Sequence, residues 1–478
     1  MKELKMYIDG QFIENQSGKW INVLNPSTEE VISKMPDGTQ EDVRAAIDAA
    51  EKAQPSWERL TSIERARYLT RIAQGIRKRE KELTEVIVRE GGKTQGLANV
   101  EVLFTADYLD YMAGWARRYE GEIIQSDRPN ENIFVFKKPI GVTTGILPWN
   151  FPFFLIARKA APALLTGNAI VVKPSQLTPE NAYIFAQIVD EAGLPNGVFN
   201  VVNGRGSVIG HELAANPKVG MVSLTGSVDA GVQTMEAASV NVTKVSLELG
   251  GKAPGIVMPD ADIDLAVKSI IASRVINTGQ VCNCCERVYV HSSIKDAFLA
   301  KLLEGFKQVK VGDPAKEVNL DMGPLIDANA LKSVEEKVAK AVKQGAVIAY
   351  GGKRIGSQGY FFEPTILTNC TQKMDIIQEE TFGPVLPIVE FTDVEDAIAW
   401  ANDCEYGLTS SVYTRDLDMA FKLVRALKFG ETYINRENFE AMQGFHAGWR
   451  KSGIGGADGK HGLEEYLQTH VVYLETQG

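Results

Sequence analysis

Val142-Thr143-Thr144-Gly145-Ile146-Leu147-Pro148-Trp149-Asn150 starts as a β-branched run and stops at a proline. An apolar helical stretch follows from Phe151 to Leu165, and Ala169-Ile170-Val171-Val172-Lys173 is a second apolar run that ends in a lysine. Strand, helix and strand make a βαβ unit, whose crossover sets the two strands parallel. The alternation continues through a helix from Glu180, the strand Val198-Phe199-Asn200-Val201-Val202, and a helix after Gly206. Met221-Val222-Ser223-Leu224 then leads through Thr225-Gly226-Ser227 into another helix, and Lys244-Val245-Ser246-Leu247 closes the series at Glu248. The pattern predicts an α/β fold on a doubly wound sheet. Ligands in such sheets sit beyond the carboxyl ends of the strands, where the polar residues gather here.

After Gly251 a second strand–helix series begins. Its helices lie around Leu265–Val275 and Ala328–Lys343, and its strands include Val347–Ala349 and Leu386–Val389. Ahead of residue 142 the chain opens with Met6-Tyr7-Ile8 and Gln11-Phe12-Ile13 around Asp9-Gly10, a hairpin signal. Val43, Ala46, Ile47 and Ala50 keep helical spacing. Thr61-Ser62-Ile63-Glu64 is a capping box that predicts one long helix carrying Leu69, Ile72, Ile76, Leu83 and Ile87, closed by Gly91-Gly92. A further helix is expected from about Ala98 to Arg118. Ile133-Phe134-Val135-Phe136 reads as a short strand whose edge wants a partner. Asn435–Phe439 and Gln443–Arg450 read as loop.

The bulk properties bound the class. At 478 residues the length prior gives about two to four domains. A net charge of −10 argues against a nucleic-acid surface. Met1-Lys2-Glu3-Leu4-Lys5 lacks the apolar run of a secretory signal, and no stretch reaches a membrane-spanning length. Five cysteines, an odd number with three of them clustered, build no disulfide framework, so a reducing cytoplasm is expected.

Three of those cysteines fall in Asn277-Thr278-Gly279-Gln280-Val281-Cys282-Asn283-Cys284-Cys285-Glu286-Arg287. Small and polar residues lead into the cluster, as a loop carrying an exposed thiolate nucleophile would require. A metal knuckle needs a second pair of ligands, which the sequence lacks, so no metal is expected. Cys284 and Cys285 read as small buried hydrophobes; from residue chemistry alone Cys282 stays open between that role and nucleophile. Gly204-Arg205-Gly206-Ser207-Val208-Ile209-Gly210 is a poor dinucleotide fingerprint, because its last glycine comes one place late. Thr225-Gly226-Ser227, at a helix start, is the better phosphate candidate.

Gly279-Gln280-Val281-Cys282 and Leu247-Glu248-Leu249-Gly250-Gly251-Lys252 resemble the nucleophile and glutamate motifs of the NAD(P)-dependent aldehyde dehydrogenases, and Arg287 also stands in its family place. The resemblance covers essentially the whole chain. It implies a Rossmann-like cofactor domain (1–118 and 140–250), an α/β catalytic domain (251–460) and a small β oligomerisation arm (119–139 and 461–478). It also implies a homotetramer, a dimer of dimers. The catalytic set carried over is Cys282, Glu248, Asn150 and Lys159. The cofactor set is Ile146, Pro148, Trp149, Lys173, Ser175, Gln176, Gly206, Gly226, Ser227, Leu249, Glu380 and Phe382. Gln176 replaces the Glu often found where NAD and NADP are told apart. A neutral amide neither holds both ribose hydroxyls nor repels a phosphate, so NAD with some NADP tolerance is expected.

The substrate set is Phe151, Leu155, Arg158, Asn283 and His446. Arg158 stands where an aromatic is common, and His446 replaces a Phe of the family's C-terminal motif. Three buried polar groups would go unpaired against an alkyl chain, which favours a small hydroxylated aldehyde. Arg436 to His446 is similar to bacterial family members acting on lactaldehyde and glycolaldehyde. Two other expectations stay open: a relative that passes its thioester to coenzyme A, and a non-catalytic protein on this fold.

Overall fold

The βαβ unit at residue 142 forms the middle of an eight-stranded sheet in the computed structural model, which describes residues 2–14 and 17–477. Met1, where the opening was read for a leader, lies outside the described residues, as does Gly478 at the end of the expected arm. Strand Val142–Ile146 pairs in parallel with Ala169–Lys173 on one side and with Val219–Thr225 on the other. Lys244–Glu248 follows in parallel, with Thr225 opposite Glu248. Phe199–Val201 extends the other flank. Both edges are antiparallel: Gly453–Ile454 beside Lys244–Glu248, and the leading hairpin beside Phe199–Val201. That hairpin is as expected, with positive φ at Asp9 (51°) and Gly10 (74°).

The second strand–helix series forms a seven-stranded sheet among the described residues. Within it Ala253–Val257 lies between Cys285–His291 and Thr409–Tyr413, all parallel. Glu431–Ile434 lies at one edge, parallel to Thr409–Tyr413. Helix Pro152–Thr166 is buried at every position, which explains its apolar composition.

Three expectations need correction. The long helix after Thr61 is two, Ser62–Lys78 and Glu80–Gly91, broken at Arg79. Arg79 ends the first helix through its N–H and turns its guanidinium to Glu82 and Gln187. The next helix runs Gln95–Ala113 and tightens into a 3-10 turn over Gly114–Arg117. The short strand at 133–136 is nine residues, Glu131–Pro139. It pairs along its whole length with Leu467–Glu475, and Glu122–Gln125 lies on its other side.

Candidate active site

Cys282 follows a turn that the chain holds under strain. Asn277 and Thr278 have φ of 46° and 61°. A β-branched residue there costs on the order of 1–3 kcal/mol, so the surroundings must impose the conformation. They do. Thr278 Oγ1 donates to Gly323 O (3.0 Å), Gln280 Nε2 donates to Asn277 O (2.9 Å), and Gln280 Oε1 accepts from Ile326 N (2.9 Å). Arg274 donates to Gly279 O and to Cys285 O. Gly279 has φ 72°, and a Cβ there would lie 2.4 Å from Gly383 O. Gly251 is equally constrained, since its Cβ would meet Cys282 O at 2.4 Å. Cys284 and Cys285 are the buried hydrophobes expected, their thiols pushed up to about 12 by burial, whereas Cys282 stays partly open. Arg287 lies in the scaffold, with Nε donating to Lys252 O (3.0 Å) and Nη2 to Ala401 O (2.8 Å).

Two cavities meet at this turn. Asn150, Thr225, Glu248 and Cys282 line both. The first continues over Phe151, Leu155, Arg158, Asn283 and His446, so the whole expected substrate set is brought together. The second continues over Pro148, Trp149, Gly226, Ser227, Leu249, Glu380 and Phe382.

A polar chain runs through the shared wall. Lys159 Nζ donates to Ser223 Oγ (2.8 Å) and Thr225 Oγ1 (2.9 Å), and Thr225 Oγ1 donates to Glu248 Oε2 (2.7 Å). Glu248 Oε1 is buried with no hydrogen-bond partner among the described residues. Burial alone would push the Glu248 carboxyl up. Arg158, Lys159 and His446 outweigh it and hold the group below the usual carboxylate range. Burial brings Lys159 down to about 8 against the pull of Glu248.

Asn150 Nδ2 donates to Gln280 O (3.1 Å) and keeps a second hydrogen for another acceptor. Its side chain does not cap the helix Pro152–Thr166 that follows. Glu101 caps that helix, Oε1 accepting from Phe153 N (2.9 Å) and Phe154 N (3.1 Å). Lys93, ion-paired with Glu101, donates to Asn150 O (2.7 Å) and pins the residue by its backbone.

The polar side of the first cavity corrects the expectation of unpaired groups. Arg158 makes a bidentate pair with Asp458 (Nε–Oδ1 3.0 Å) and a second pair with Glu440 (2.9 Å). Asn283 Nδ2 also donates to Glu440, and His446 Nδ1 pairs with Glu431. Each expected polar group thus has a carboxylate partner. The rest of the wall is more aromatic than expected, with Phe104, Phe154 and Phe439. Sequence reasoning missed Glu440, Glu431 and Asp458, and it assigned Thr225 to a phosphate site rather than to Glu248 and Lys159. Asp458 left one signal, an acidic residue between Ala457 and Gly459; its backbone (φ 72°, ψ 163°) is of a kind usually reserved for glycine.

The second cavity suits an anionic dinucleotide. Ser227 caps helix Val228–Ser239 by accepting from Ala230 N (3.2 Å), so backbone donors of a helix start face the cleft. Glu286 accepts from Thr381 N (2.8 Å) and Phe382 N (2.9 Å) and fixes the loop that bears Glu380 and Phe382. The Phe382 ring stands edge-on to Trp149 at 5.5 Å, from a backbone at φ 51°. Glu380 Oε1 accepts from Gly251 N (2.8 Å), and burial, with Glu286 nearby, raises its carboxyl to about 7. A Cβ on Gly250 would press into that carboxylate at 2.5 Å.

Five members of the expected cofactor set lie outside the walls of these two cavities. Ile146 and Lys173 end their strands, Lys173 Nζ donating to Pro174 O (3.0 Å). Ser175 Oγ accepts from Leu177 N (3.2 Å), Gln176 is exposed, and Gly206 opens helix Gly206–Ala215 with open space around its Cα. Among the described residues no cluster of His, Cys, Asp and Glu is placed to hold a metal, and no helix is long and apolar enough to cross a membrane.

The comparisons agree with this geometry. The pattern of the aldehyde dehydrogenase family matches residues 12–472. The chain is 66% identical to lactaldehyde dehydrogenase of Escherichia coli, over 98% of both chains. It is 41% identical to D-glyceraldehyde dehydrogenase (NADP(+)) of Thermoplasma acidophilum, over 100% of this chain and 97% of that one. The crystal structure of lactaldehyde dehydrogenase from Escherichia coli superposes with a TM-score of 0.98 at 65% identity, covering 99% of each chain. With the two motifs, the two-sheet fold and the shared wall around Cys282 all in place, the chain belongs to the aldehyde dehydrogenase family.

Proposed function

We propose that the protein oxidises short 2-hydroxyaldehydes, lactaldehyde and glycolaldehyde, to their acids by way of a thioester on Cys282. The observation that carries this is the wall common to both cavities, where Cys282, Asn150 and Glu248 face one small volume. Cys282 Sγ bonds to the aldehyde carbon, and the carbonyl π pair moves to oxygen. The remaining Asn150 Nδ2 hydrogen and the Cys282 N–H stabilise that oxyanion, each such donor contributing about 10²–10³ in rate. Ser227, Glu380 and Phe382 would hold NAD, which would supply the acceptor for the aldehyde hydride. Glu248 then takes a proton from water through Oε1, and the hydroxide releases the acid from Cys282. Thr225 and Lys159 steady the other Glu248 oxygen. A coenzyme A acceptor would leave water unactivated, and the position of Glu248 speaks against it.

Phe151 and Leu155 provide the apolar wall for the substrate, with Arg158, Asn283, His446 and the added Glu440 opposite. The support for a hydroxylated aldehyde is this charged rim together with the 66% identity to a protein named for lactaldehyde. A panel of short aldehydes tests it: lactaldehyde and glycolaldehyde should give the highest kcat/KM. Propanal, hexanal or benzaldehyde exceeding them would refute the reading. Gln176 supports NAD with NADP tolerance, which a kcat/KM ratio above about a thousandfold would reject. Ile146, Lys173, Ser175, Gln176 and Gly206 belong to the outer part of the same cofactor site. The division into cofactor domain, catalytic domain and arm is supported by the separate sheets, apart from Gly453–Ile454, which crosses back to the edge of the first sheet. A cytoplasmic homotetramer completes the proposal, supported by the exposed Ile123, Phe136 and Tyr473 on the arm.

A further inference from the structure

His446 is more constrained than a residue of a substrate wall needs to be. Its backbone is held on both sides by Ala457, with His446 N donating to Ala457 O (2.9 Å) and Ala457 N donating to His446 O (2.9 Å). Gly430 and Gly456 let this loop lie close against strand Glu431–Ile434. A Cβ on Gly430 would sit 1.7 Å from Ala447 O, and one on Gly456 would sit 2.6 Å from His446 O. That approach delivers Glu431 to the imidazole. One carboxylate oxygen of Glu431 takes Nδ1 of His446, and the other accepts from the Tyr433 hydroxyl. With Nδ1–H turned to the carboxylate, Nε2 is left for the small cavity whose wall His446 shares with Cys282.

We propose that Glu431, His446 and Cys282 form a relay in which His446 takes the Cys282 proton, so that the resting nucleophile is a thiolate paired with an imidazolium. This rests on the reading of Cys282 as the nucleophile and adds to it how the thiol is ionised. The proton leaves Sγ and joins Nε2, and the sulfur keeps the electron pair. That pair forms the bond to the aldehyde carbon while the carbonyl π electrons move to oxygen. When the acid departs, sulfur leaves as thiolate and the pair is restored without a further proton. Tyr433 and Glu431 are positioning residues, acting through the ring.

The charges around the ring agree with this. Burial would push the imidazole down, yet Glu431, with Cys282 nearby, holds it well above the usual histidine range against Arg158. Arg158 faces it from helix Pro152–Thr166, Glu248 from the end of strand Lys244–Glu248, and Glu440 and Asp458 from the C-terminal loops. Glu431 alone of these carboxylates pairs directly with the ring among the described contacts.

Alkylation of the full protein by iodoacetamide, without aldehyde or cofactor, tests the relay. The rate is followed from pH 5 to 10, with loss of turnover and the labelled cysteine identified by mass spectrometry. His446→Phe installs the residue that the family's C-terminal motif carries here, so the fold should tolerate it. The unchanged protein should alkylate at Cys282 with a midpoint well below the free-thiol value of about 8.5. His446→Phe should move that midpoint up by at least about one pH unit and slow alkylation at pH 6.5 about tenfold or more. Glu431→Gln should give a smaller shift in the same direction. Superimposable rate–pH curves for the unchanged protein and His446→Phe would overturn the relay. Full turnover after complete Cys282 alkylation would instead remove the nucleophile reading, and the relay with it.

Discussion

Glu248 shares a cavity wall with Cys282, Glu431 stands behind His446, and their neighbours set the two carboxylates to different tasks. Glu248 has one oxygen tied to Thr225 and the other buried without a partner among the described residues. Glu431 has both oxygens engaged, by His446 and Tyr433. A carboxylate with a vacant oxygen aimed into a cavity is ready to take a proton from water. One with both oxygens filled holds a charge in place and orients what it touches. The residue type is the same; the hydrogen-bond environment decides the role.

The strongest break of this comparison is removal of the centre itself. Cys282→Ala should lower kcat on the order of 10⁶-fold with NAD binding retained, measured by NADH formation and by cofactor titration. Turnover near the original rate would refute the covalent route for both sides at once.

Arg158 ties the Glu440 and Asp458 carboxylates to one cation, and Arg158→Met would leave those two charges buried without it. Breaking such a pair costs about 3–5 kcal/mol, seen as a marked fall in Tm. An unchanged Tm would mean the ion cluster does not stabilise the pocket. Asn150→Ala should cost about 10²–10³ in kcat with a small change in KM, because the donor acts on the oxyanion. A pure KM effect would assign Asn150 to ground-state binding.

The smallest effect sharpens the Glu431 side. The His446 imidazole has a folded pKa above its free value of about 6.5. Its stabilising contribution is therefore whole below pH ~6.5 and is lost as pH rises through the folded value. Thermal denaturation of His446→Phe should depend less on pH above ~6.5 than that of the unchanged protein. Parallel curves would show that the ring's charge does not contribute to stability.

Much of the scaffold was legible because buried parallel strands must be apolar along their length, as Ala169–Lys173 is, and because proline and glycine mark where they stop. Glu248 was visible as a carboxylate closing an apolar strand, whereas residue chemistry left Cys282 open and the family resemblance supplied its role. The break at Arg79 was hidden, since the apolar spacing runs through it without a proline or glycine. The arm strand looked short because Lys137 and Lys138 interrupt its apolar run, and it was the resemblance, not the residue pattern, that put the C-terminal segment in the same arm. Distance along the chain concealed the partners of the site: Arg158 meets Asp458 across 300 residues, and Glu101 caps the helix after Asn150 from a separate helix. Local patterns show which groups are reactive, and only the fold shows which group answers each.

Rapid mixing of Glu248→Gln with lactaldehyde and NAD tests the division of labour most directly. The vacant oxygen of Glu248 serves the water step alone, so hydride transfer should survive its loss. About one equivalent of NADH per active site should appear in a burst, followed by a steady rate about 10²–10⁴ below that of the unchanged protein. A slow steady rate with no burst, or a steady rate left intact, would contradict the account.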